Sequence, residues 1–171
     1  VEDGTIGEIG SGRPPEPLVE GAELIQMPEA TIVPGLVDAH IHLALFMADW
    51  PLSEREPSLL LLTAAHNARV ALAAGVTTVG DCGACYNLTI PLRDAIAKGQ
   101  VPGTRIWPSG TFLTVTNGHG YFWTKWGLDS AEELRKGVRQ MVWEGADFIK
   151  IMSSGGSTQG ATTNRRRAQY S

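Results

Sequence analysis

From residue 35 onward, short apolar runs alternate with longer stretches in which apolar residues recur at helical spacing. The first run, 35–42, predicts a strand, and the Leu- and Ala-rich stretch 58–74 predicts a helix that ends at Gly75. Repeated strand–helix pairs predict a parallel sheet with right-handed crossovers. The later predicted elements are strands at 76–81, 105–107 and 148–152, helices at 88–98 and 130–144, and a long loop at 114–128.

Residues 1–34 follow a different pattern. Two extended runs flank an Asp-Gly turn at Gly4, a Pro-rich connector covers 13–17, and two further extended pieces are expected at 22–27 and 30–33. We expect this segment to be part of a small antiparallel sheet, and we predict a domain boundary after residue 34.

The spacing of the strand–helix pairs predicts the fold class. Four units over residues 35–171 give about 34 residues per unit, close to the roughly 31 of an eight-unit barrel of about 250 residues. We therefore predict an α/β fold in which 35–171 form the first four βα units, the first half, of a TIM-like (β/α)8 barrel. Residues 1–34 are predicted to be a partial N-terminal β-sandwich segment.

Composition excludes several functional classes. Hydrophobic residues make up 43% of the chain and charged residues 19%, as in ordinary globular proteins. The net charge of −4 argues against a nucleic-acid partner, and no apolar stretch is long enough to predict a membrane span. Two cysteines do not make a disulfide scaffold, so we expect a cytoplasmic protein. Because the chain begins with Val1 and not Met, we expect a fragment or a processed product and leave an upstream signal open.

The candidate chemistry begins with His40-Ile41-His42 at the end of the first predicted strand. Alternate side chains of a strand share a face, so the two imidazoles are expected to project together. Two neutral imidazoles at one point make half of a divalent-metal site. Asp38 shares their parity, and it either accepts from an imidazole N–H or satisfies nearby backbone donors.

Lys150 is the second candidate, because it lies inside the apolar run 148–152. A lysine is seldom buried without a partner, so it either snorkels to the strand end or points into the barrel. In the barrel interior it would lose solvation, and a neutral amine can add carbon dioxide to become a carbamate. Such a group acts as a carboxylate and can bridge two metal ions.

Together these motifs resemble the amidohydrolase superfamily. The stretch 34–43 is similar to its first barrel strand, 74–79 to its second and 147–151 to its fourth. The segment Thr116–Gly120 resembles the imidazolonepropionase-like and Xaa-Pro dipeptidase-like branch of the superfamily.

The resemblance implies a role for each matching residue. His40 and His42 would ligate the more buried metal, carbamylated Lys150 would bridge two metals, and His119 would contact the substrate, unless His119 is only a turn residue. The implied cofactor is a divalent metal, one or two ions, with zinc favoured. The superfamily takes two further histidines from the fifth and sixth strands and a general-base aspartate from the eighth. The chain ends at Ser171, before these strands.

The implied function is hydrolysis of a C–N bond in a small-molecule amide, cyclic amide or dipeptide-like substrate by a metal-activated hydroxide. A nucleic acid or a membrane is not expected as a partner, and a homo-oligomer stays open. Two alternatives remain. Cys82-Gly83-Ala84-Cys85 could make a thiol–disulfide oxidoreductase, since a C-x-x-C between a strand and a helix is the thioredoxin context. The isolated chain could also be a non-catalytic fragment with unpaired strand edges.

Overall fold

The structure is a computed structural model that describes residues 1, 4–12, 21–45, 56–156 and 166–170. Contacts divide the chain into two compact units, Val1–Pro34 and Gly35–Ser171. The described residues of the first unit are exposed and form no helix or extended strand. Strand pairing needs a buried face to stabilise it, and apolar side chains such as Ile9 and Ile32 are almost fully exposed here. The β-sandwich segment therefore stays a prediction.

The second unit is built on a parallel sheet. Its three strands are β1 (Leu36–Ile41), β2 (Val76–Asp81) and β3 (Arg105–Pro108), paired in the order β1-β2-β3. Sequential order along a parallel sheet is the arrangement expected at the start of a (β/α)8 barrel. The predicted α/β fold class is confirmed, and the bounds of β2 agree with the predicted ones.

The predicted fourth strand, 148–152, is not a full strand. It is reduced to one parallel bridge between Leu113 and Ile151, with Leu113 donating to the carbonyl of Lys150 at 2.8 Å and Met152 donating to the carbonyl of Leu113 at 2.9 Å. The chain leaves β3 through Gly110, whose φ of +66° turns the backbone out of the extended conformation. The pairing with Ile151 therefore resumes only locally.

Helices follow the strands. The long ones are α1 (Pro57–Ala73), α2 (Thr89–Ala97) and α4 (Ala131–Glu144), while α3 (Tyr121–Thr124) is a single turn inside the predicted long loop. A proline opens α1, and a capping box formed by Ser130 and Glu133 fixes the start of α4. None of the helices in the described part of the chain is long and apolar enough to cross a membrane.

Three apolar clusters hold these elements together. One lies between the sheet and the first two helices and includes Ala64, Ala68, Val79, Leu92 and Ile106. The second joins α1 to the loops that follow the strands, and it consists of Leu60, Cys85, Phe112, Trp123 and Met152. The third packs α4 through Leu113, Leu128 and Met141. The second cluster supports the loops at the carboxyl ends of the strands, where catalytic groups of βα barrels lie.

Candidate active site

The two histidines of the first motif lie at the carboxyl end of β1. The ring centroids of His40 and His42 are 5.5 Å apart, and the ring planes are inclined by 66°. His40 is exposed and His42 is half-buried. The alternation of side chains along the strand thus brings the two imidazoles next to each other, as the spacing predicts.

The hydrogen bond of His42 determines which ring nitrogen is available. Its Nδ1 lies 3.0 Å from the carbonyl oxygen of Gly83. A carbonyl oxygen can only accept, so Nδ1 carries the proton and Nε2 keeps its lone pair. A backbone carbonyl that holds the second nitrogen is the usual support of a metal-binding histidine.

Asp38 acts on the backbone. Its Oδ1 accepts a hydrogen bond of 3.0 Å from the backbone N–H of His40. Of the two roles that the sequence left open, the structure shows contact with a backbone donor. This bond holds the main chain of β1 at the point from which the His40 ring projects.

Lys150 interacts electrostatically with two of the candidate histidines. Partial burial, followed by the positive charge of Lys150 and the neighbouring imidazole of His42, lowers the pKa of His40, and the carboxylate of Asp38 opposes this shift. The charge of Lys150 also lowers the pKa of His119, after burial and ahead of His42. Lys150 and His42 thus each interact electrostatically with both His40 and His119. Depressed pKa values favour the neutral imidazoles that a metal ion requires.

His119 sits in a turn that is fixed through its backbone. The hydroxyl of Thr114 donates to the carbonyl of His119 at 2.8 Å, and Asp129 accepts from both the N–H and the hydroxyl of Thr116 at 2.7 Å. Gly156 lies so close to the His119 ring that a Cβ at this position would clash with it. The buried Nδ1 of His119 has no hydrogen-bond partner among the described residues.

An aromatic wall borders His42. The ring of Trp123 meets that of His42 edge-on with centroids 6.2 Å apart, and Phe112 lies 5.7 Å from Trp123 on its other side. The wall shields one side of the His42 ring from water. The sequence places Trp123 only in the predicted long loop, because the packing of its ring depends on the tertiary fold.

Asp81 is a further residue of the site that sequence reasoning missed. It is fully buried at the end of β2, and it accepts hydrogen bonds from the backbone N–H groups of Leu43 and Gly83. Burial raises its pKa, while these hydrogen bonds and the charge of His42 oppose the rise. The available signal was a carboxylate that ends an otherwise apolar and β-branched strand.

The two cysteines do not form a redox site of the thioredoxin kind. Cys82 and Cys85 are both free and buried, and burial raises the pKa of each thiol. A reactive C-x-x-C requires the opposite, a depressed thiol pKa. The Sγ of Cys85 donates to the carbonyl of Trp123 at 3.4 Å, which is a packing role. The oxidoreductase alternative is therefore disfavoured.

A metal ion would need more than the two imidazoles. Within the described ranges, no group of three or more His, Cys, Asp or Glu side chains could hold a metal ion. The donor set fits a metal only in part, through His40, through Nε2 of His42 and through Lys150 if its amine carries a carboxylate-like group. Such a set would combine nitrogen and oxygen donors, which zinc accepts.

Comparison with known proteins gives the family of this fold. Residues 31–171 match the model of the amidohydrolase family. Ochratoxinase from Aspergillus niger is 29% identical over 170 residues, which cover 82% of this chain and 34% of that protein.

Solved structures show the same relationship. A crystal structure of an amidohydrolase superposes with a TM-score of 0.70 at 29% identity, covering 87% of this chain and 42% of the other. A prolidase complexed with N-methylphosphonate-L-proline gives a TM-score of 0.68 at 28% identity with the same coverage. The chain thus spans less than half the length of these proteins. Its match to the family model extends over most of its length, and the chain belongs to the amidohydrolase family.

Proposed function

We propose that this chain is part of a metal-dependent hydrolase that cleaves a C–N bond in a small amide, cyclic amide or dipeptide-like substrate. Membership of the amidohydrolase family supports hydrolysis. The names of two similar proteins, a prolidase and an ochratoxinase, favour an amide or dipeptide substrate for this chain. One observation supports the proposal most: the rings of His40 and His42 lie next to each other at the end of β1, and the charge of Lys150, more than 100 residues later in the chain, lowers the pKa of His40.

In this proposal His40 and His42 hold one or two divalent ions, with zinc favoured. His42 would bind through Nε2, because Nδ1 is engaged with Gly83. A divalent ion held there would supply the Lewis acidity that makes water a nucleophile at neutral pH. The aspartate that serves as general base in the family is expected outside the sequence of this chain.

Lys150 would complete the donor set as a carbamate. Once deprotonated, its amine would add to the carbon of carbon dioxide: the N–C bond forms as one C=O π bond opens onto oxygen, and an N–H proton passes to solvent. The product carries its negative charge on oxygen, as a carboxylate does. The neighbouring histidines favour this change, since it replaces a positive charge next to His40 and His119 by a negative one.

His119 would bind the substrate. Its backbone is fixed by Thr114, and burial together with the charge of Lys150 lowers the pKa of its ring, so the neutral form is favoured and can donate a hydrogen bond to a substrate carbonyl or carboxylate. Trp123 and Phe112 are buried, so they would hold the His42 ring in position by packing and would not contact the substrate. Binding and orientation by His119 would bring the scissile carbonyl to the imidazoles.

The test is the metal content of purified protein together with its hydrolytic activity. In a longer protein that contains this chain, we expect that H40A and K150A each lose most of the bound metal and most of the hydrolysis of a panel of Xaa-Pro dipeptides and N-acyl amino acids. The matched control is H66A, because His66 is an exposed histidine of α1 outside the site. Unchanged metal content in both H40A and K150A would refute the proposal.

The test should use the 171-residue chain and any longer protein in which it occurs. For the isolated chain we predict weak metal binding and no turnover, since the resemblance implies that the general base belongs to the eighth strand of the barrel. Measurable amide hydrolysis by the pure chain would contradict this prediction.

A further inference from the structure

The inference concerns Asp81, the buried carboxylate at the end of β2. In the parallel pairing of β1 with β2, Asp81 stands opposite Ile41, the residue before His42. Its side chain is fully buried, so each of its oxygens needs a hydrogen-bond donor. Oδ2 accepts from the N–H of Leu43 at 2.8 Å, and Oδ1 accepts from the N–H of Gly83 at 3.1 Å.

Both donors belong to residues that adjoin His42, one along the chain and one through a hydrogen bond. Leu43 follows His42 in the chain, so its N–H belongs to the peptide group that joins the two residues. Gly83 supplies the carbonyl that accepts from Nδ1 of His42. Asp81 therefore holds both the main chain that carries the imidazole and the residue that orients its ring.

Gly83 needs such a restraint. Its φ of +134° lies in a region that residues with a side chain rarely adopt, and a Cβ here would clash with Phe112. A glycine has no side chain to anchor its peptide group. The hydrogen bond from its N–H to Asp81 fixes the peptide group before Gly83, and the N–H of Ala84, which donates to the carbonyl of Gly110 at 3.2 Å, fixes the peptide group that carries the Gly83 carbonyl.

We propose that Asp81 is a positioning residue, which fixes the ring orientation and the Nδ1–H tautomer of His42 through Gly83 and Leu43. Its importance for metal binding rests on the proposed function, in which Nε2 of His42 is a ligand. A competing explanation is purely structural, since Asp81 also accepts from the hydroxyl of Thr89 at the start of α2, at 3.4 Å.

The variant that separates the two roles is D81N. The amide of asparagine has the same shape as the carboxylate, but its NH₂ group can only donate a hydrogen bond. In D81N this group therefore faces the N–H of either Leu43 or Gly83, and that N–H loses its acceptor. We expect the histidine side-chain ¹⁵N–¹H spectrum at mildly alkaline pH to show a single Nδ1–H tautomer of His42 in the wild type and a mixture in D81N. We also expect Zn²⁺ affinity, measured by competition with a chromophoric chelator, to fall roughly 10- to 100-fold.

The matched control is T89V. It removes the third hydrogen bond to the same carboxylate and leaves the acceptors of Leu43 and Gly83 unchanged. A structural role alone would make both variants less stable and leave the tautomer of His42 and the Zn²⁺ affinity at wild-type values in both. Our inference requires that only D81N changes them.

The outcomes distinguish this inference from the proposed function. A wild-type tautomer and wild-type Zn²⁺ affinity in D81N would overturn the role of Asp81 and leave the metal site intact. A wild-type protein that binds no Zn²⁺ would refute the proposed function, while the tautomer in D81N would still decide the role of Asp81. If D81N does not fold, the wild-type spectrum decides, because a mixture of His42 tautomers there would overturn the inference.

Discussion

His42 and His119 are held in opposite ways. The ring of His42 is fixed by its own hydrogen bond to the carbonyl of Gly83, and the buried carboxylate of Asp81 accepts from the N–H of that same glycine. The backbone of His119 is fixed, but its Nδ1 has no hydrogen-bond partner among the described residues. A ring with one nitrogen in a hydrogen bond and the other free to bind suits a metal ligand. A ring that is held only through its backbone suits contact with a substrate.

The backbone of the His119 turn is tied to two other elements. With its amide oriented to satisfy both contacts, Gln169 accepts from the N–H of His119 and donates to the carbonyl of Met152 at 2.7 Å. Met152 follows Lys150 on the same segment. The turn that carries His119 is therefore connected to the segment that carries Lys150, so the position of one depends on that of the other.

Among tests of the difference between His42 and His119, the largest effect is expected from G83A. The side chain would have to adopt a φ of +134° and displace Phe112, so we expect a loss of about 3 kcal/mol in the free energy of unfolding. Urea denaturation measures this loss. The control is G99A, because Gly99 also has a positive φ of +68° but open space around it, and it should cost about 1 kcal/mol. Equal losses in the two variants would show that the site around His42 does not constrain Gly83.

A smaller effect is expected from T114V. The change leaves the carbonyl of His119 without its donor, so we expect about 1–2 kcal/mol lower stability. If His119 contacts the substrate, KM should rise while metal content stays at the wild-type value. T63V removes a similar hydroxyl bond, to Leu59 within α1, and should leave KM unchanged. A fall in metal content in T114V would contradict the division of roles between the two histidines.

The smallest effect is a pH dependence of the His119 turn. The hydroxyl and N–H of Thr116 lower the pKa of Asp129 below its ordinary value of 3.8. The stabilisation is therefore present above that ordinary value and is lost as the pH falls through the lower pKa of the folded state. The chemical shift of the Thr116 amide should follow this titration. D129N is the control. The pKa of nearby Glu133 is also lowered, and its titration would remain in this variant, whereas that of Asp129 would be absent.

Local signals made several elements predictable. Gly75 ends the predicted first helix, and α1 ends within two residues of it. Ser130 and Glu133 form the reciprocal cap that α4 needs, and both are adjacent to its start in sequence. The pairing of His40 with His42 follows from the alternation of a strand, which is also a local property.

Non-local geometry decided the rest. The apolar run 148–152 has the composition of a strand, but the bend at Gly110 leaves it only one bridge with Leu113. In the described part of residues 1–34, alternating apolar residues form no strand, because nothing buries one face of them. Pattern alone does not show whether a partner surface exists.

The sequence by itself determined the family, the βα alternation and the choice of His40, His42, Lys150 and His119 as candidates, because each depends on residue type and on spacing within one segment. Only the tertiary structure decided that Asp81 would meet Leu43. That contact depends on the register between β1 and β2, and a register arises from the packing of two distant segments. The tautomer of His42 follows from the same packing.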